Sequence, residues 1–231
     1  MSNHQDEQLA FGNSKAIVSN QDDIHEKLEE VVKKHIAHPF QKPYQEHTVE
    51  AFEEIDRLVK AHGGEVILDA CCGVGQSTRL LAKQNPQALV IGIDKSANRI
   101  TRNVDEVAGD DGQQVNNYEL VRADLNDFYR LVAKSGWPIK KHYILYPNPW
   151  PKSKHLQRRW HGSAVFPEIL SIGETITLRS NWPLYLEEFH KAAEIGGRSG
   201  EISLVDDELP LTPFEAKYKA SGQACWQLVI R

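Results

Sequence analysis

Hydrophobic and polar positions change their period near residue 65, and the change divides the chain. Before it, apolar side chains recur at helical spacing. Ile24, Leu28, Val31 and Val32, with His35 on the same face, predict a first amphipathic helix. Val49, Phe52, Ile55 and Val59 predict a second, starting near Gln45. His38-Pro39-Phe40-Gln41-Lys42-Pro43 interrupts the two, and Gly63-Gly64 stops the second. Both helices are expected to cover a sheet that follows. Residues Met1 to Asp22 are polar and aperiodic, which predicts a mobile segment or an arm that orders on binding.

Beyond residue 65 short apolar runs alternate with helical patterns. Strands are predicted at Val66–Asp69, Ala88–Asp94, Tyr118–Asp124, His142–Tyr146, Thr175–Arg179, Glu201–Val205 and Cys225–Ile230. Helices are predicted over Ser77–Gln84, Ser96–Val107 and Asp127–Lys134, and from Asn181-Trp182-Pro183 to Gly196-Gly197. Repeated strand–helix units predict an α/β sheet of seven strands, mostly parallel and covered on both faces. No helical pattern is read between the last two strands, so the last is expected to enter antiparallel. The organisation is an arm over 1–22, N-terminal helices over 23–64 and an α/β domain over 65–231.

Composition adds limits. With 40% apolar and 26% charged residues this is a globular chain, and no run is apolar enough to span a bilayer. The first twenty residues lack the apolar core of a secretory signal. Three cysteines, two of them adjacent, make no disulfide framework and favour a reducing cytoplasmic setting. Ten histidines show no ligand spacing, so no metal site is read. The net charge of −5 argues against a generally basic nucleic-acid binder. Between Asp127 and Glu168, however, stand eight Lys and Arg and no acid, which leaves −13 for the remainder. An acidic body with one basic face can contact a polyanion selectively.

Two stretches carry candidate chemistry. The first is Leu68-Asp69-Ala70-Cys71-Cys72-Gly73-Val74-Gly75, between the first strand and its helix. In open α/β sheets ligands bind outside the carboxyl ends of the strands. Gly73 and Gly75 admit close backbone approach. Asp94 ends the second strand and can accept two ribose hydroxyls, and Asp124 ends the third. No third glycine completes a dinucleotide fingerprint. An acidic rim suits a cationic ligand better than a phosphate, and S-adenosylmethionine carries a sulfonium and an ammonium.

The second stretch is Tyr146-Pro147-Asn148-Pro149-Trp150-Pro151-Lys152-Ser153-Lys154-His155-Leu156-Gln157-Arg158-Arg159. Three prolines within five residues forbid helix and continued strand there. They stiffen an extended loop around a polar amide, Asn148, and an aromatic plate, Trp150. Lys152, Lys154, Arg158 and Arg159 follow as candidate phosphate contacts, which position RNA without reading its sequence.

The Pro-Asn-Pro-Trp-Pro-Lys-x-x-His-x-x-Arg-Arg stretch resembles the Pro-Asp-Pro-Trp motif of the bacterial tRNA (guanine-N7)-methyltransferases, a class I S-adenosylmethionine-dependent group. Ser180-Asn181-Trp182 with Tyr185, and Thr212-Pro213-Phe214-Glu215, resemble two further motifs in the same order. The resemblance covers about Glu65 to Ile230 and implies a Rossmann-like methyltransferase sheet with an antiparallel last strand. It implies that Asp69, Asp94, Asp124 and Asn148 line the cofactor pocket. It also implies that Asn148, Lys152, Asn181 and Thr212 to Glu215 face the target nucleotide of a tRNA. Asn148 and Asn181 stand where that family has aspartates, Cys71 where it has a glycine, and Lys217-Tyr218 where it has Arg-Gly. The Arg-rich lead-in is missing. A tRNA guanine N7 target, a small amine substrate, and a binder without turnover all remain open. An asparagine at 148 keeps an acceptor oxygen and loses the charge. An Asn-Pro-aromatic loop is also similar to that of amino-group N-methyltransferases.

Overall fold

The structure, a computed structural model, describes residues 12–102 and 115–231. Its first elements are α1 (Leu28–Ala37) and α2 (Glu46–His62). Then follow β1 (Val66–Ala70), α3 (Gln76–Gln84), β2 (Leu89–Asp94), α4 (Ala97–Ile100), β3 (Tyr118–Arg122), α5 (Leu125–Ser135) and β4 (Ile139–Leu145). Two short 3-10 turns, Ser153–Arg158 and Trp160–Gly162, lead to α6 (Phe166–Ser171) and β5 (Thr175–Ser180). The remainder is α7 (Pro183–Ile195), β6 (Gly200–Leu204), α8 (Pro213–Ala220) and β7 (Trp226–Ile230).

One sheet runs in the order β3-β2-β1-β4-β5-β7-β6. β1 to β5 are parallel, and β7 runs antiparallel to both its neighbours. β1 and β2 are buried along their whole length because alternate side chains enter separate cores. Val66, Leu68, Leu89, Ile91 and Ile93 join the larger core, whereas Ile67 and Val90 pack with Leu81 and Ala82 of α3.

Four expectations change. The antiparallel β7 is observed, but its premise was wrong: α8 lies between the last two strands. Thr212 caps that helix and Pro213 sits in its first turn, a start signal that its eight residues of low amphipathicity obscured. α6 was not foreseen, for it makes fewer than two turns. Ile24 lies before α1 and is exposed, so Leu28 and Val32 alone carry that helix's buried face. The N-terminal helices rest mainly on other helices rather than on the sheet. Phe52 of α2 stacks on Trp137 at 5.2 Å and meets Phe128 of α5 edge-on at 5.8 Å. The predicted Ser96–Val107 helix is α4 at its start, and its remainder falls outside the described residues.

Of the arm expected over 1–22, residues 1–11 lie outside the described residues, and residues 13–22 run as an extended segment with defined contacts. Ser14 N–H donates to Ser221 Oγ at 3.0 Å, and Ser19 Oγ donates to the Pro151 carbonyl at 2.6 Å. Asn20 exchanges hydrogen bonds with Ser153. Gln21 reaches the fully buried Glu188 of α7 at 2.5 Å. Glu188 also accepts from His25 N–H, His161 Nε2 and the Arg159 guanidinium. Burial alone would raise this carboxyl, but the hydrogen bond from His161 and the Arg159 charge hold it down to about 2. His161 is itself held below its usual value, chiefly by burial, and its Nδ1 has no partner. It is therefore the neutral Nε2–H tautomer, and Arg159 supplies the compensating charge.

Glu188→Gln leaves Arg159 buried and uncompensated, which costs about 3–5 kcal/mol. Urea unfolding checks this; a loss below about 1 kcal/mol would remove the pair from the fold's foundations. Because the folded pKa is depressed, this contribution is present above the unfolded carboxyl value and is lost as pH falls toward 2.

Candidate active site

Strand register brings the candidate residues to one edge. Ala70 pairs with Ile93 on one side and Ile144 on the other, and Asp94 pairs with Arg122. The carboxyl ends of β3, β2, β1 and β4 therefore lie side by side. The chain builds outward from β1 through β2 to β3 on one side and then crosses to β4 on the other, and at such a reversal open α/β sheets form a crevice.

Asp69 is fully buried, and its Oδ2 accepts from Ser77 Oγ at 2.6 Å and Thr78 Oγ1 at 2.7 Å. Its Oδ1 has no hydrogen-bond partner. Burial, partly offset by the two hydroxyls, pushes the carboxyl up to about 6. Gly73 has φ +62° and open space where a Cβ would stand, so its backbone faces the cleft. Gly75 differs. At φ +80° it precedes α3, and a Cβ would meet Leu120 at 2.6 Å. That glycine serves packing.

Asp94 Oδ2 accepts from Gly73 N–H at 3.2 Å and its Oδ1 from Ser96 N–H at 2.8 Å. The Arg99 guanidinium also stands at 3.1 Å from Oδ2, although its side chain is 59% exposed. Sequence reasoning missed Arg99. Asp124 is half-buried and caps α5 through Asn126 N–H at 2.9 Å, while its own N–H donates to Thr48.

Across the cleft, Tyr146 and Trp150 hold φ +50° and +45°, and Cys71 after β1 holds φ +60°. Bulky side chains rarely adopt this left-handed backbone, and all three occur in the segments that follow β1 and β4. Asn148 is exposed, and its Oδ1 lies 3.4 Å from Trp150 N–H, a long turn bond that leaves the amide exchangeable. Trp150 is half-buried. Arg158 covers its ring at 4.7 Å and His155 meets it edge-on at 5.5 Å. Burial and then the charges of Arg158, Lys154 and Lys152 hold His155 below its usual value.

The basic segment is smaller than expected. Lys152, Lys154 and Arg158 are exposed. Arg159 is not: it is wholly interior, donating to the carbonyls of Trp150 and Lys152 and pairing with Glu188. It braces the loop from inside the fold. Arg130 is likewise interior over Tyr44, and Lys140 and Lys141 sit at the opposite end of β4. Thr212 and Glu215 also face inward. Thr212 caps α8, and Glu215 binds Arg179 at 3.1 Å and Lys219 at 3.2 Å. Asn181 donates to Gln223 Oε1 at 2.8 Å.

Neither of the adjacent thiols is disposed to ionise. Burial and then the Asp94 and Asp69 carboxylates push Cys71 up to about 12, and Cys72 lies higher than usual for the same reasons. The unmet Oδ1 of Asp69, the space above Gly73 and the run of acids together fit a ligand with cationic groups.

Comparison with known proteins agrees. A family model described as "Putative methyltransferase" matches residues 63–228. A tRNA (guanine-N(7)-)-methyltransferase of Mycobacterium avium (strain 104) is 26% identical over 71% of this chain, and the match spans just 65% of that protein. One from Shewanella halifaxensis (strain HAW-EB4) is 28% identical over 77% of this chain and 78% of its own length. Among solved structures, the 16S rRNA (adenine(1408)-N(1))-methyltransferase from Catenulisporales acidiphilia with cosubstrate SAM shares the fold. Its TM-score is 0.52 at 14% identity, over 76% of this chain and 89% of that one.

A carboxyl that titrates near 6 makes ligand affinity depend on pH. Ionised Asp69 attracts a cation and protonated Asp69 does not. S-adenosylmethionine binding by calorimetry is expected to be roughly tenfold weaker at pH 5 than at pH 7.5. Asp69→Asn should flatten that profile; an equally steep profile in the variant rules Asp69 out. Without ligand the sign reverses. A raised folded pKa gives stability at low pH that is lost as pH rises through about 6.

Proposed function

The chain belongs to this methyltransferase family, and we propose that it methylates a nitrogen of an RNA base with S-adenosylmethionine, N7 of a tRNA guanine being the target. The carrying observation is the juxtaposition at one sheet edge. The acids of β1 and β2 stand beside a strained proline loop from which three exposed cations project.

When bound, S-adenosylmethionine supplies an electrophilic methyl on a sulfonium, a good leaving group. Asp94, once Arg99 yields its Oδ2, is the acceptor for the ribose hydroxyls. Asp69 and the Gly73 backbone line the cationic end of the ligand. Guanine N7 is a lone-pair acceptor with no proton to lose, so no general base is needed. The remaining task is positioning. Asn148 offers its amide oxygen to base N–H groups, and Trp150, once Arg158 swings aside, offers a stacking face. Lys152, Lys154 and Arg158 hold phosphates. A neutral amide at 148 forgoes one charge-assisted bond, worth about 1–3 kcal/mol.

No helix of the described residues is long and apolar enough to cross a membrane. The basic segment at the cleft supports a polyanionic substrate in a cytoplasmic setting over a small amine.

Incubation with total tRNA and methyl-labelled cofactor, followed by digestion to nucleosides, is expected to yield labelled 7-methylguanosine. Label on another nucleoside would move the target, and label on no RNA would refute the substrate class. Asn148→Asp should raise the rate about five- to a hundredfold. Separately, Lys154→Ala should reduce the salt slope of tRNA binding by about one. An unchanged slope would detach this lysine from the phosphates.

A further inference from the structure

α8 exposes a face that the cleft residues above do not use. Thr212 and Pro213 fix where it starts, and the buried Glu215 fixes its rotation by pointing at Arg179. With Glu215 inward, helical spacing places Phe214, Lys217, Tyr218 and Ser221 together on another face. Phe214 is 55% exposed, a conspicuous cost for a phenyl ring on a short helix.

The ring is not isolated. Phe214 and Tyr218 lie near parallel, 28° apart with centroids at 6.3 Å. Tyr218 in turn meets the ring of Tyr146 at 5.5 Å. Tyr146 is the left-handed residue that ends β4 and stands two positions before Asn148. Three aromatic rings therefore form a line from the residue after β4 outward over α8. Lys217 joins the same face, and its ammonium has no ion pair or hydrogen bond among the described residues. Aromatic rings interleaved with an unpaired cation are what a single nucleic-acid strand recognises: rings stack on bases and the cation meets a phosphate. One exposed ring and one lysine cover far less area than a stable protein contact needs. Tyr218 also stands where the resembling family has glycine, so the second ring on this helix is this chain's own.

We propose that Phe214, Tyr218 and Lys217 form a stacking platform for an unpaired nucleobase that flanks the methylated nucleotide in the same RNA strand. The proposal rests on the RNA-substrate reading and adds a subsite to it.

The test uses the full chain and a single-stranded RNA carrying 2-aminopurine beside a guanine, with total tRNA as competitor. Wild-type protein is expected to change the 2-aminopurine fluorescence on binding. Phe214→Ala should weaken RNA binding roughly tenfold, and Phe214→Trp should restore it. Tyr218→Leu keeps helix propensity and bulk but removes the flat ring, and it should weaken binding similarly. Lys217→Ala should lower the salt slope by about one. S-adenosylmethionine affinity should be unchanged in all four. If wild type binds RNA and the ring variants bind equally well, the platform is wrong and the substrate reading stands. Should wild type bind no RNA, both fall. A change of sedimentation behaviour in Phe214→Ala without a change in RNA affinity would overturn the platform in favour of a contact between copies of this chain.

Discussion

The carboxylate of Glu188 has no exposure to water, yet each of its oxygens receives two donors. They come from the extended segment before α1, from the turn after the proline loop and from the 3-10 turn that follows. A buried charge is tolerable only when it is matched this fully. Arg159, held by that carboxylate, turns its remaining donors onto the carbonyls of Trp150 and Lys152. The loop bearing Asn148 and Trp150 is thus positioned from within the fold. Its prolines limit the shapes available, and the ion pair selects one.

Much of the architecture was legible in the chain. Strands such as Val66–Ala70 announce themselves because both faces of a parallel sheet are covered, and Asp94 was placed at a strand end by the run before it. Elements were missed where packing, not periodicity, sustains them. α6 is too short to show a period, and α8 shows a cap but little amphipathic contrast. At the site, residue type was a better guide than location. Arg159 and Arg158 are adjacent and chemically identical, yet one is interior and the other is exposed over an indole. Nothing in a linear sequence distinguishes them until Glu188 appears, and a lone acid on the inner face of α7 is the one available signal. Glu215 poses the same difficulty, answered by Arg179 from a neighbouring strand.

Charge is arranged locally against a modest net value. Asp69 and Asp94 stand at the carboxyl ends of β1 and β2, the exposed Lys152, Lys154 and Arg158 follow β4 in the same sheet, and Arg99 pairs with Asp94. Such an arrangement separates two ligands of opposite character. On the proposed function S-adenosylmethionine would meet the recessed acids and RNA the projecting side chains.

Cys71, Tyr146 and Trp150 each hold a left-handed backbone that glycine would adopt without strain. A replacement chosen only for hardiness would favour glycine at these points, because each strained residue costs about 1–3 kcal/mol. The same replacement at 146 or 150 would delete a ring from the segment that follows β4. Thermal robustness and the retention of these rings are thus set against each other at positions 146 and 150, and improving one by directed evolution should erode the other there first.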